Sequence, residues 1–166
     1  MRRTFTKAML ASSIAIGLGL GVAGFAHAQA EVKIGVIYPL TGPSAAVGAE
    51  LRSALELAVD IINNGAPGIA ELPFSAGKGL PNLKGAKIKL VFADHQANPQ
   101  TGATEAERLI TQEKVVAIVG AYNSAVTATA SQVAERAGIP FLNPESSSAS
   151  LTARGFKWFF RTTPHD

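Results

Sequence analysis

The side chains best suited to chemistry in this sequence are hydroxyls. Ser124 opens a stretch of helical period, and Ser146, Ser147, Ser148 and Ser150 crowd one short segment. Hydroxyls beside a helix start can hold an anion, because the first N–H groups of a helix lack internal partners and the positive end of the dipole lies there. A charge-assisted hydrogen bond contributes about 1.5–3 kcal/mol net, against roughly 0.3–1 kcal/mol for a helix dipole, so direct donors dominate such a site. Each group also has a plainer reading. Ser124 is what an N-cap looks like, and the serine run is what a polar loop looks like; composition leaves both open.

Catalytic patterns are missing. There is no Gly-x-Ser-x-Gly elbow and no carboxylate pair at a useful spacing, so the chain is not expected to be an enzyme. Of three histidines, His27 falls in the amino-terminal apolar segment and His165 near the terminus. Asp94-His95 alone invites a metal or acid–base proposal. Two adjacent ligands do not build a tetrahedral site, so a solvated loop pair is expected there and no metal. Gly19-x-Gly21-x-x-Gly24 has the spacing of a dinucleotide fingerprint but lies within an apolar run instead of at a strand-to-helix turn. Gly77-Lys78-Gly79 lacks the hydroxyl and the upstream glycine of a phosphate loop. No cofactor is expected.

The first residues read as an export signal. Arg2, Arg3 and Lys7 precede an apolar run over residues 9–25, and Ala26-His27-Ala28 supplies the small-x-small pattern that a signal peptidase accepts. Residues 1–28 are expected to be a cleaved signal peptide, cut after Ala28 or, as second choice, after Ala30, which implies a periplasmic location. The short run, with Gly17, Gly19, Gly21 and Gly24 inside it, argues against a stable membrane anchor, and no cysteine follows that could carry a lipid. Arg2-Arg3 fits the twin-arginine route as well as the general secretory one. Removing residues 1–28 takes three basic side chains and no acidic one from totals of 15 and 12, so the formal charge falls from +3 to zero. Nucleic-acid binding, which needs clustered positive charge, is not expected. With no cysteine, stability must come from burial and hydrogen bonding.

Behind the signal, short β-branched runs alternate with longer stretches of helical period, the pattern of a parallel sheet flanked by helices. Strands are expected over residues 32–38, 87–94, 115–120, 140–143 and 157–161. The first is apolar at nearly every position, as a strand buried on both faces must be, and Pro39 ends it. Helices are expected where Leu51, Leu55, Ala58 and Ile62 share a face, over residues 101–113 with Ala106, Leu109 and Ile110 inward, and over residues 124–137 with Val126, Ala130, Val133 and Ala137 inward. Thr101, Thr104 and Glu105 give the second a polar, acidic first turn. Asn63-Asn64-Gly65 stops the first helix and Gly138 the third. Residues 65–85, rich in proline and glycine, read as a surface loop without regular structure. In an open α/β sheet, ligands bind beyond the carboxyl ends of the strands where the strand order reverses. Three loops then qualify: residues 39–48, 120–124 and 143–148.

Taken together, Ile34-Gly35-Val36 through Leu40-Thr41-Gly42-Pro43, Ala93-Asp94 through Asn98-Pro99, Gly120 through Ser124, Gly138-Ile139-Pro140 through Asn143-Pro144 and Leu151-Thr152-x-Arg154-Gly155 through Phe160-Arg161-Thr162 resemble the leucine/isoleucine/valine-binding type of periplasmic protein. The resemblance spans essentially all of residues 29–166. It implies a type I periplasmic-binding-protein fold, of which this chain holds the first lobe only and incompletely, and a poorly stable fragment where partner elements are missing. It also implies capture of a branched-chain or related amino acid, or a similar small carboxylate, between two lobes for a membrane ABC permease. A ligand-sensing receptor or regulator of the same fold is the alternative. By resemblance, Ser124 and Ser147 bind the α-carboxylate. Ser146 offers a backbone carbonyl to the ammonium, with Glu145 adjoining it, and Asn123 adjoins Ser124. Ala46 and Val47 reach the ligand side chain, where several members carry an aromatic residue that Val47 is not.

Overall fold

A computed structural model of the chain describes residues 30–69, 71–72, 74–75 and 79–166. The expected signal of residues 1–28, with its glycine motif and His27, lies outside these residues, as do Gly77 and Lys78.

Five parallel strands form one sheet: β1 (Glu31–Tyr38), β2 (Lys87–Asp94), β3 (Ala117–Gly120), β4 (Phe141–Asn143) and β5 (Phe159–Arg161), in the order β2-β1-β3-β4-β5. The helices are α1 (Ala45–Asn64), α2 (Pro99–Thr111), α3 (Ser124–Ala137) and the single-turn α4 (Ser150–Ala153). The chain first steps from β1 outward to β2, then returns past β1 to β3 and continues in that direction. The order therefore reverses between β1 and β3, and the loops leaving those two strands diverge there to open a crevice.

Register assigns the two faces of the sheet. Ile37, Ala93, Ile118 and Phe141 point toward α2 and α3, where Ala106, Leu109, Val126, Ala130 and Val133 complete the core. On the opposite face Phe92, Val36, Val119, Leu142 and Phe160 form one continuous cross-strand row. Helix α1 lies against β1 and β2, with the Arg52 guanidinium 4.5 Å from the Phe92 ring centre. Val36 is fully buried, whereas Leu142 is 37% and Phe160 51% exposed, so this face loses its cover toward β5.

The expected strands are all present, β2 with the bounds read from sequence, and so is α3 with Gly138 in the left-handed conformation just beyond it. Several expectations need correction. Helix α1 begins at Ala45, so Ala46 and Val47 lie in its first turn instead of an open loop. Ala58 and Ala137, expected inward, are exposed. Helix α2 begins at Pro99 behind Asn98 and has no acidic residue in its first turn, because Glu105 falls in the second. The long connection before β2 contains a 3-10 turn at Pro81–Leu83 and a bridge from Leu80 to Ala86. His95, expected in solvent, is fully buried under α2 and α3.

Candidate ligand-binding site

Two glycines let the backbone close around the reversal point. A Cβ on Gly48 of α1 would come within 2.1 Å of the Pro39 carbonyl oxygen, and one on Gly120 within 2.2 Å of the Ile37 carbonyl oxygen. Gly120 also has φ +144, a conformation open to glycine alone, and it precedes a cis peptide bond to Ala121. Helix α1 thus seats directly on the end of β1, and β3 ends against that same strand.

The turn from β3 into α3 is held by buried hydrogen bonds that also grip the neighbouring loops. The Ala121 N–H donates to Thr127 Oγ1 at 3.1 Å, and the Thr127 and Ser146 hydroxyls meet at 2.6 Å. Ser146 Oγ donates to the Tyr122 carbonyl at 2.9 Å, so the proton between the two hydroxyls belongs to Thr127. Asn143 at the end of β4 brackets Ser146: its Oδ1 accepts the Ser146 N–H and its Nδ2 donates to the Ser146 carbonyl, both at 2.8 Å. On the other side His95 Nε2 lies 2.7 Å from the Ala121 carbonyl oxygen, and its Nδ1 accepts the Ala97 N–H at 3.0 Å. Thr127, Asn143, Ser146 and His95 are all essentially inaccessible. Buried polar groups with this degree of pairing fix one geometry for the loops that carry them.

What this frame leaves free is the start of α3. Its N-cap is Asn123, not Ser124 as a capping reading of the sequence would have it, and Asn123 makes no side-chain cap. The N–H groups of Ser124 and Ala125, which a helix cannot satisfy internally, therefore meet no capping side chain. Ser124 Oγ accepts the Ser148 N–H at 3.4 Å, which leaves its proton available for donation. Ser147 Oγ donates to a carboxylate already, that of Asp166 at 2.9 Å. Arg161 at the end of β5 steadies the serine loop by donating to the Ser148 carbonyl at 2.9 Å and the Ser147 carbonyl at 3.3 Å. Helix α1, on the other side of the crevice, also lacks a side-chain cap at Ser44, and its first turn carries exposed Ala46 and half-buried Val47.

Acceptors face these donors. Glu145 Oε1 takes a short hydrogen bond from the Tyr38 hydroxyl, while its Oε2 is buried without a partner, as is Asn123 Oδ1. Burial raises the Glu145 carboxyl above its ordinary value, with the Tyr38 hydroxyl pulling it back, and the same burial with the Glu145 contact raises the Tyr38 hydroxyl. Asp94 behaves oppositely. Burial would raise its carboxyl, but the Thr41 hydroxyl at 2.5 Å and the backbone N–H groups of Gln96, Thr41 and Leu40 outweigh it and lower it, which binds the first loop to the end of β2.

The structure therefore gathers Ser124, Asn123, Glu145, Ser146 and Ser147 at one rim, with Ala46 and Val47 across the crevice. Ser146 contributes its side chain to the frame, and its carbonyl keeps one lone pair beyond that used by Asn143. Tyr38, Thr127 and Asn143 do not stand out in the sequence as site residues, and His95 stands out only as half of the Asp94-His95 pair. Thr127 and Ser131 lie four apart on α3, and that spacing was the available signal of a polar stripe turned inward beside Val126 and Ala130. Two surface grooves lie elsewhere, one between α2 and α3 and one between α1 and β2. They lack the convergent backbone donors of the rim. Among the described residues no group of three or more His, Cys, Asp or Glu could hold a metal ion, and no helix is long and apolar enough to cross a membrane.

Residues 31–166 match the family described as periplasmic binding protein. The chain is 40% identical over 160 residues to Leu/Ile/Val-binding protein homolog 8 of Brucella suis, covering 94% of this chain and 36% of that protein. It is 36% identical over 166 residues to an amino acid binding protein of Pseudomonas aeruginosa, covering 99% of this chain and 39% of that one. Among solved structures it is similar to the branched-chain amino acid transporter substrate-binding protein of Streptococcus pneumoniae in complex with isoleucine, at 31% identity and a TM-score of 0.66, covering 81% of this chain and 34% of that one. The chain spans a little over a third of the length of these curated relatives.

Proposed function

The chain belongs to the periplasmic binding protein family and carries its type I fold; from that premise we propose that it forms the first lobe of an extracytoplasmic receptor that captures an amino acid for an ABC permease. The α-carboxylate docks at the start of α3, taking the Ser124 hydroxyl and first-turn N–H groups as donors, with Ser147 as a further hydroxyl. The α-ammonium faces Glu145 and the Ser146 carbonyl, and Asn123 lines the wall beside them. Ala46 and Val47 border the space for the ligand side chain. The rest of the protein supplies the opposing lobe, and a returning segment covers Leu142 and Phe160.

The observation that carries this reading is the uncapped start of α3 beside the reversal of strand order. Several aligned donors are held rigid there by buried bonds, next to an acidic group with a free acceptor oxygen. A zwitterion matches that polarity. Two lobes closing on it would hide the ligand from water and present the permease with a changed shape. Calorimetric titration of the full-length protein with leucine, isoleucine, valine and aromatic amino acids tests the proposal. Saturable heat with at least one of them is the expected result, and no heat with any α-amino acid would overturn it.

A further inference from the structure

The geometry points to His95 as the positioning residue of this site, a neutral imidazole that clamps the β3–α3 turn so that the donors of α3 keep their aim. This inference rests on the binding reading above but concerns a side chain that no ligand would touch.

The partners of the ring fix its proton. The Ala121 carbonyl can only accept, so Nε2 carries the hydrogen; the Ala97 N–H can only donate, so Nδ1 carries none. The ring is thus a bridge between the β2–α2 turn and the β3–α3 turn that exists in one tautomer and one charge state. Both backbone polar groups of Ala121 are then held, the carbonyl by His95 and the N–H by Thr127, three residues ahead of the first donor of α3. Asn98, three residues after His95, donates its N–H to the His95 carbonyl at 2.7 Å, which ties the same turn to the start of α2.

The surroundings of the ring supply no compensation for a second proton. Gly102 of α2 and Ala121 of the β3–α3 turn lie against it, and Val126 of α3 packs against Gly102. Among the described residues the charged group acting on it is Asp94, whose carboxylate is engaged by Leu40, Thr41 and Gln96. Burial lowers the imidazole below its ordinary 6.5, with the Ala121 carbonyl and Asp94 pulling it back up. A proton on Nδ1 would confront the Ala97 N–H donor to donor and break the bridge. Between the lowered folded value and 6.5 the unfolded chain takes up a proton that the folded chain refuses, so stability falls as pH drops below about 6.5. Glu145 and Tyr38, the other shifted pair at the rim, are present in every variant below and cancel from the comparison.

The test uses the full-length protein, with leucine as the probe. His95→Phe fills the space without hydrogen bonds, and His95→Gln restores a donor toward Ala121 but cannot titrate. Expected is at least tenfold faster amide exchange at Ala121 in His95→Phe, with leucine affinity weakened at least fivefold. His95→Gln should recover most of both, and its stability should fall less than that of the wild type as pH drops below about 6.5. Unchanged exchange in His95→Phe would overturn the inference, and so would profiles of stability against pH that superimpose for wild type and His95→Gln. Should His95→Phe fail to fold, the His95→Gln profile alone decides. Absence of leucine binding by the wild type would instead strike the functional reading, leaving exchange and the nitrogen chemical shifts of the His95 ring to decide this one.

Discussion

Helices α2 and α3 begin alike and are finished differently. Each follows a strand, each has an asparagine at the N-cap in extended conformation, and each packs on the same face of the sheet. At α2, Asn98 Oδ1 accepts the Gln100 N–H at 2.8 Å and the Thr101 N–H at 3.0 Å, and Pro99 removes a third donor. At α3, Asn123 caps nothing and its Oδ1 is buried without a donor. The difference follows position. Helix α2 leaves the edge strand, where a cap only stabilises the helix, whereas α3 leaves the strand at the reversal point, where free donors can serve a ligand. An uncapped helix end costs about 1 kcal/mol relative to a capped one, and the buried bonds among His95, Thr127, Ser146 and Asn143 are what keep that open end from fraying.

The surest way to destroy the contrast is Gly120→Ala. The added methyl group would stand 2.2 Å from a carbonyl oxygen on a backbone at φ +144, so stability should fall by more than about 3 kcal/mol, or the protein should not fold. Chemical denaturation of the full-length protein measures this, and a loss below 1 kcal/mol would mean that the turn has room to move. Next in size, Asn98→Ala should cost about 1 kcal/mol through the lost cap and leave ligand affinity unchanged. A fall in affinity would show that the closed end also serves the site.

The same contrast shows what the sequence carries. The bounds of β2 and α3 were legible because β-branched runs and a left-handed glycine at Gly138 are local signals. The three loops of the rim followed from parallel topology, and Ser124 from its place at a helix start. The early start of α1 was hidden because Gly48, a poor helix former, falls in its opening residues and is kept there by close contact with Pro39, while Ser44 at the N-cap makes no side-chain cap. His95 lies in a polar run, Asp94-His95-Gln96, and only the packing of α2 and α3 over that turn removes it from water. Which asparagine caps and which does not was equally beyond reach, since both precede a helix and the difference is made by tertiary neighbours. Period alone puts Ala58 and Ala137 inward, and period does not say how far round a helix the partner surface extends.

Ser124 carries the central claim most directly, because its hydroxyl belongs to the open end and its loss should leave the fold intact. Titration of a binding amino acid into full-length Ser124→Ala, beside Asn98→Ala and wild type, should show affinity weakened at least tenfold for Ser124→Ala, about 1.4 kcal/mol, and unaltered for Asn98→Ala. Equal affinity in all three proteins would contradict a ligand held at the start of α3.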